Sequence, residues 1–136
     1  MDEEVKVPYM DEFAEYLGEV EGLAKKTIKR HVLNAGAFVY YMSTHGYEAD
    51  PECKEEELPM DDALLKRGGE FIGMYFSYFL PRKAFATPES LRHSGGSVKK
   101  LYKFLAHKGI VSDEVCGEIL DEIKDGMKLW VEDCDY

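Results

Sequence analysis

The chain has 136 residues, 45% of them hydrophobic and 32% charged, with a formal net charge of -10. That size suits one domain with a single core, and that balance excludes an intrinsically disordered chain. The longest apolar-rich run, Phe71 to Leu80, is too short to span a bilayer. The opening MDEEVKVPYMDEF lacks the basic-then-apolar order of a secretory signal, so a cytoplasmic protein is expected.

No clean period-two alternation marks a strand, and the chain reads as five helices. The first spans about Tyr9 to Val20, with Pro8 as its start signal and Phe13, Tyr16, Leu17 and Val20 at helical spacing. The second spans Lys25 to Thr44. Ile28, Val32, Ala35, Val39 and Met42 form its stripe, while Leu33, Phe38, Tyr40 and Tyr41 lie off it, so burial on more than one side is expected. Gly36 costs that helix about 1 kcal/mol relative to alanine and would let another helix approach closely. His45 to Pro59 is a polar connection. The third helix spans Asp61 to Leu80, closed by Pro81, with a break expected at Gly68–Gly69. Its aromatic run FIGMYFSYFL is read as buried helix.

The fourth helix starts at Glu89 or Ser97, because Gly95–Gly96 blurs its start, and ends at His107 before Gly109. The fifth spans Asp113 to Asp133. Ser112 is its N-cap, and Asp113 and Glu114 suit the positive end of the helix dipole. Val115, Ile119, Leu120, Ile123, Met127, Trp130 and Val131 share one face; Glu118, Asp121, Glu122 and Asp125 share the other.

Cys53, Cys116 and Cys134 are an odd number without a CxxC pair. Reduced thiols are expected, with Cys116 and Cys134 packing as small hydrophobes. No histidine stands at zinc-ligand spacing from them, so neither metal nor cofactor is expected. The chain carries no P-loop, GxSxG, HExxH or GxGxxG, and no carboxylate pair stands out, so no enzyme is expected.

Charge is strongly segregated. Residues 25–46 hold four bases and no acid, and residues 64–112 hold nine bases and two acids. The remaining three stretches each carry eight or nine acids against one or two bases. At about 100° per residue, Lys99, Lys100, Lys103 and His107 group opposite Val98, Leu101, Tyr102 and Leu105. Lys25, Lys26, Lys29 and Arg30 group opposite Ile28, Val32, Ala35 and Val39. Such basic faces suit phosphates at duplex spacing, and Arg92, His93 and Ser94 could add backbone contacts. They also suit the ordinary solvated side of an amphipathic helix. His31 and His107 fit surface or core-edge positions better than catalytic ones, and Trp130 fits the core better than a stacking platform.

Two stretches carry a resemblance. Phe13 to Met42 runs aromatic-xx-Tyr-Leu, then Gly22, Leu23, Thr27, Ile28 and a downstream Phe38. Ser97 to Ser112, SVKKLYKFLAHKGIVS, has the serine-then-basic, aromatic, Phe-Leu and Gly-x-Ile order. Over residues 11–112 the chain resembles the core-binding, SAM-like domain of tyrosine recombinases (phage integrases). It departs from that family at Ala24, where a capping serine is usual, and at Ser112–Asp113, where Asn-Pro often stands. It has no HxxR, and Tyr136 lacks the context of a nucleophile, so the family's catalytic domain is missing.

The resemblance implies an all-α, four-helix SAM-like bundle, to which residues 113–136 add an acidic amphipathic helix within a single domain 1–136. It also implies that the second and fourth helices face duplex DNA, through Lys25, Lys26, Thr27, Lys29, Arg30, Lys99, Lys100 and Lys103. The expected function is a non-catalytic duplex-DNA-binding module. The alternative is a protein-interaction or homo-oligomerisation module using the apolar face of the C-terminal helix. A third arrangement has that helix covering the basic face.

Overall fold

The computed structural model describes residues 6–49 and 57–134. Cys53, Tyr136 and the middle of the His45–Pro59 connection lie outside the described residues. Among the described residues the fold is all-α, without a strand. Its elements are α1 (Met10–Glu19), α2 (Lys25–Ala49), α3 (Asp62–Lys66), α4 (Ile72–Met74), α5 (Pro88–Lys108) and α6 (Asp113–Glu132). A 3-10 turn, Gly68–Glu70, joins α3 to α4, and a π-helix, Tyr75–Lys83, follows α4.

α1 and α2 form a hairpin. Phe13 and Leu17 bury the inner side of α1. α2 is central, with Ala35, Phe38, Val39, Tyr41 and Met42 in the core. It continues past the expected stop at Thr44 to Ala49. Gly36 is not a close-approach position: a Cβ there would meet Met10 Sδ at 3.7 Å, an ordinary contact.

The expected third helix is four pieces. Asp61 caps α3 by accepting from the Leu64 N–H at 3.0 Å. The helix then breaks at Gly68–Gly69, as the glycine pair suggested, and Tyr102 of α5 fills the break. The Tyr102 hydroxyl donates to the Leu65 carbonyl at 2.6 Å, and a Cβ on Gly68 would lie 2.1 Å from that oxygen of Tyr102. The aromatic run is buried as expected at Ile72, Tyr75, Phe76 and Leu80. It does not stop before Pro81, however, but winds through it as a π-helix. An α-helical turn would press the proline ring on the carbonyl four residues back; the wider turn relieves this. The Ala84 N–H reaches the Phe79 carbonyl, five residues back, at 3.2 Å.

α5 takes the earlier of its two expected starts. It begins at Pro88, behind a capping box in which Thr87 and Ser90 each accept from the other's backbone N–H, and it runs unbroken through Gly95–Gly96. These glycines are not a stop. A Cβ on Gly95 would lie 2.4 Å from Met127 Cε, so Gly95 is where α6 crosses α5. α5 ends at Gly109 in the left-handed conformation.

α6 starts where the sequence indicates, with the Ser112 hydroxyl accepting from the Val115 N–H at 3.1 Å. Cys116, Ile119 and Ile123 are buried under it. Trp130 stacks on Phe76 with ring centroids 5.2 Å apart. Each fully buried large apolar side chain in this core contributes roughly 1.5–3 kcal/mol. Cys116 packs as a small hydrophobe, and the partly buried Cys134 thiol donates to the Ala86 carbonyl. Among the described residues, no helix is long and apolar enough to cross a membrane.

Candidate nucleic-acid interface

The two basic helices meet at one polar contact. Ser97 of α5 is fully buried against α2. Its hydroxyl donates to the His93 carbonyl at 2.9 Å, in its own helix. It also accepts from Asn34 Nδ2 at 3.1 Å and shares a hydrogen bond with His31 Nδ1 at 2.8 Å. Ser97 is sealed in the helix crossing, so its hydroxyl joins the two helices and is closed to a substrate.

This crossing brings basic groups together from both helices. His31 is held below the usual imidazole range, first by burial and then by the neighbouring charges of Lys100 and Arg30. Glu21 opposes the shift, and His93 adds to it slightly. Arg30 of α2 and His93 and Lys100 of α5 are thus all near enough to His31 for their charges to bear on it. Successive residues of α5 continue from there at about 100° each. Arg92, His93, Lys103 and His107 are exposed, while Lys99 and Lys100 are half-buried. The solvent arc of α5 is basic along its length, with Glu89 as its single acid, 4.0 Å from the His93 ring.

Not every basic residue singled out from the sequence joins this surface. Lys26 and Arg30 share one exposed side of α2. Thr27 is half-buried one step round the helix. Lys25 and Lys29 turn the other way and line a groove against Asp11 and Glu15 of α1. Lys103 lies beside the start of α6, where its charge counters that of Asp113 on the Cys116 thiol, a group raised mainly by burial.

α1 and the turn after it supply two counter-ions that sequence reasoning missed. Glu21, just after α1, pairs with Lys100, and Glu12 pairs with Lys108. His107, expected on the basic face, leans on the Tyr16 ring at 5.4 Å. The Lys100–Glu21 pair is partly buried, so Lys100 is engaged by Glu21 and meets another anion only when that pair opens. No short-range motif announces them: Glu21 and Lys100 are 79 positions apart.

α6 does not lie across these lysines. It packs on the Gly95 side of α5, and Arg92 and Lys103 stay exposed. Of its apolar residues, Val115, Leu120, Met127, Trp130 and Val131 are partly buried against the core, while Leu129 stays 61% exposed. Among the described residues, no cluster of His, Cys, Asp or Glu could hold a metal ion.

Compared with known proteins, the chain matches no protein-family model, no curated protein and no solved structure.

Proposed function

We propose that this chain is a non-catalytic duplex-DNA-binding module of the SAM-like, integrase-core-binding kind. One observation carries the reading. The α2–α5 crossing at His31, Asn34 and Ser97 holds the helix that carries Arg30 against the helix that carries His93 and Lys100, which supports reading the two basic arcs as one surface. Lys26, Arg92, Lys99 and Lys103 extend it. A net charge of -10 opposes attraction at long range, but exposed charges more than about 10 Å apart are largely screened at 0.1 M salt. The local surface then acts locally. Lysine, arginine and histidine on helical arcs reach phosphate oxygens and release counterions without reading bases. The expected binding is therefore backbone-directed and tolerant of sequence.

The test is charge reversal on the outer arc of α5, with Arg92→Glu, Lys99→Glu and Lys103→Glu combined in one chain. None of the three is buried, so the variant should keep its thermal midpoint and lose duplex binding. Unchanged binding would remove this face from the proposal.

A further inference from the structure

The outer side of α2 changes character along its length. Lys26 and Arg30 give way to Leu33, Ala37 and Tyr40 over the following turns. Leu33 is 64% exposed and Tyr40 45%. A helix at the edge of a small bundle ordinarily shows polar residues there. The apolar side chains instead flank a groove between α1 and α2. Two depressions of about 680 and 490 Å³ form it, and they share Asp11, Val32 and Leu33.

Lys6, before α1, lines one end of the groove, and along the rest of it the charges are sorted by wall. The α1 wall carries Asp11, Glu12 and Glu15, and the α2 wall carries Lys25 and Lys29. Among the described residues, Asp11, Glu15, Lys25 and Lys29 make no ion pair within the chain. Duplex DNA would be repelled by the acidic wall, and a partner of one sign by whichever wall matches it. A second copy of the same groove meets neither objection. Under a two-fold axis running along the groove, α1 of one copy lies over α2 of the other. Glu15 and Asp11 then face Lys25 and Lys29 twice, and each Leu33 enters the other copy's groove. Such a self-complementary patch is what a two-fold homodimer requires.

We propose that the α1–α2 groove is a homodimer interface whose occupant is the same groove of a second chain. This does not rest on DNA binding, because the groove lies on the Lys25 and Lys29 side of α2, whereas the proposed DNA surface uses Lys26, Arg30 and α5.

Light scattering of the full chain from low to high micromolar concentration tests it, with two charge-reversed variants. Lys25→Glu with Lys29→Glu makes both walls acidic, and Asp11→Lys with Glu15→Lys makes both basic. The native chain should be dimeric, and each variant alone monomeric. An equimolar mixture of the two should recover the dimer mass. Leu33→Glu should also give a monomer. These side chains are exposed, so native far-UV helicity is expected throughout. A native chain that stays monomeric overturns the proposal. So does a dimer that persists in Leu33→Glu or in either reversed variant alone, or a mixture that stays monomeric.

Discussion

Gly68→Ala is the sharpest probe of how α5 is seated. In the native chain Tyr102 has no exposed surface, and its hydroxyl occupies the break between α3 and the 3-10 turn. An added Cβ at residue 68 would lie 2.1 Å from Tyr102 Oη, 2.7 Å from its Cζ and 3.3 Å from Ile119 Cδ1. The first two separations are impossible for real atoms, and the ring cannot swing aside in a packed core. Either Tyr102 withdraws and leaves the Leu65 carbonyl unpaired, at roughly 1–3 kcal/mol, or the core is overpacked at a similar cost. Against this stands a gain of at most about 1 kcal/mol from replacing glycine in helical backbone. A net loss of about 2 kcal/mol is expected, large for a small domain. Urea denaturation of the native chain, Gly68→Ala, Tyr102→Phe and the double variant measures it. Tyr102→Phe removes the hydroxyl from the clash, so Gly68→Ala should cost less in that background than in the native one. A Gly68→Ala chain within about 0.5 kcal/mol of native would refute this seating of α5.

Three further outcomes follow from the side-chain contacts. Glu21→Gln keeps the shape of the side chain but frees Lys100, so duplex affinity should rise and the salt dependence steepen by about one phosphate contact; stability should fall by no more than about 1 kcal/mol. His31 is held below its ordinary value, so the folded chain binds fewer protons than the unfolded chain once pH drops below about 6.5. Stability should therefore fall as pH falls from about 6.5 toward the folded-state value, and urea midpoints at pH 7.5 and 5.5 should differ less in His31→Gln than in the native chain. Trp130→Ala removes the ring stacked on Phe76 near the C-terminal end of α6; a loss of about 2–4 kcal/mol in urea denaturation is expected, with α5 arc residues left in place for DNA.

Much of this architecture is legible because it rests on short-range periodicity. The bounds of α1 and the start of α2 follow from apolar spacing, with Pro8 before α1, and the course of α6 follows from its Ser112 cap and its apolar stripe, all within a few positions of one another. Sequence and structure part where a residue serves a distant partner. Gly95–Gly96 reads locally as a helix break, although Thr87, Pro88 and Ser90 spell a capping box further upstream; the reason for Gly95 is Met127 of α6, which no local pattern reveals. Pro81 reads as a stop, yet the chain winds through it as a π-helix whose Tyr75, Phe76 and Phe79 rings pack on one another. The candidate surface shows the same division. The basic arcs of α2 and α5 are visible on a helical wheel. Their joining through His31 and Ser97, the turning of Lys25 and Lys29 toward α1, and the engagement of Lys100 by Glu21 all depend on how helices lie side by side.

The proposed function stands or falls on duplex binding. The direct measurement is fluorescence anisotropy of a labelled random duplex of about 25 base pairs, titrated with the native chain at two salt concentrations about fourfold apart. A surface that neutralises about four phosphates should lose roughly a hundredfold in affinity over that range. No binding at the lower salt, where phosphate contacts are strongest, would contradict a DNA-binding role and leave the basic arc of α5 as a solvated helix face.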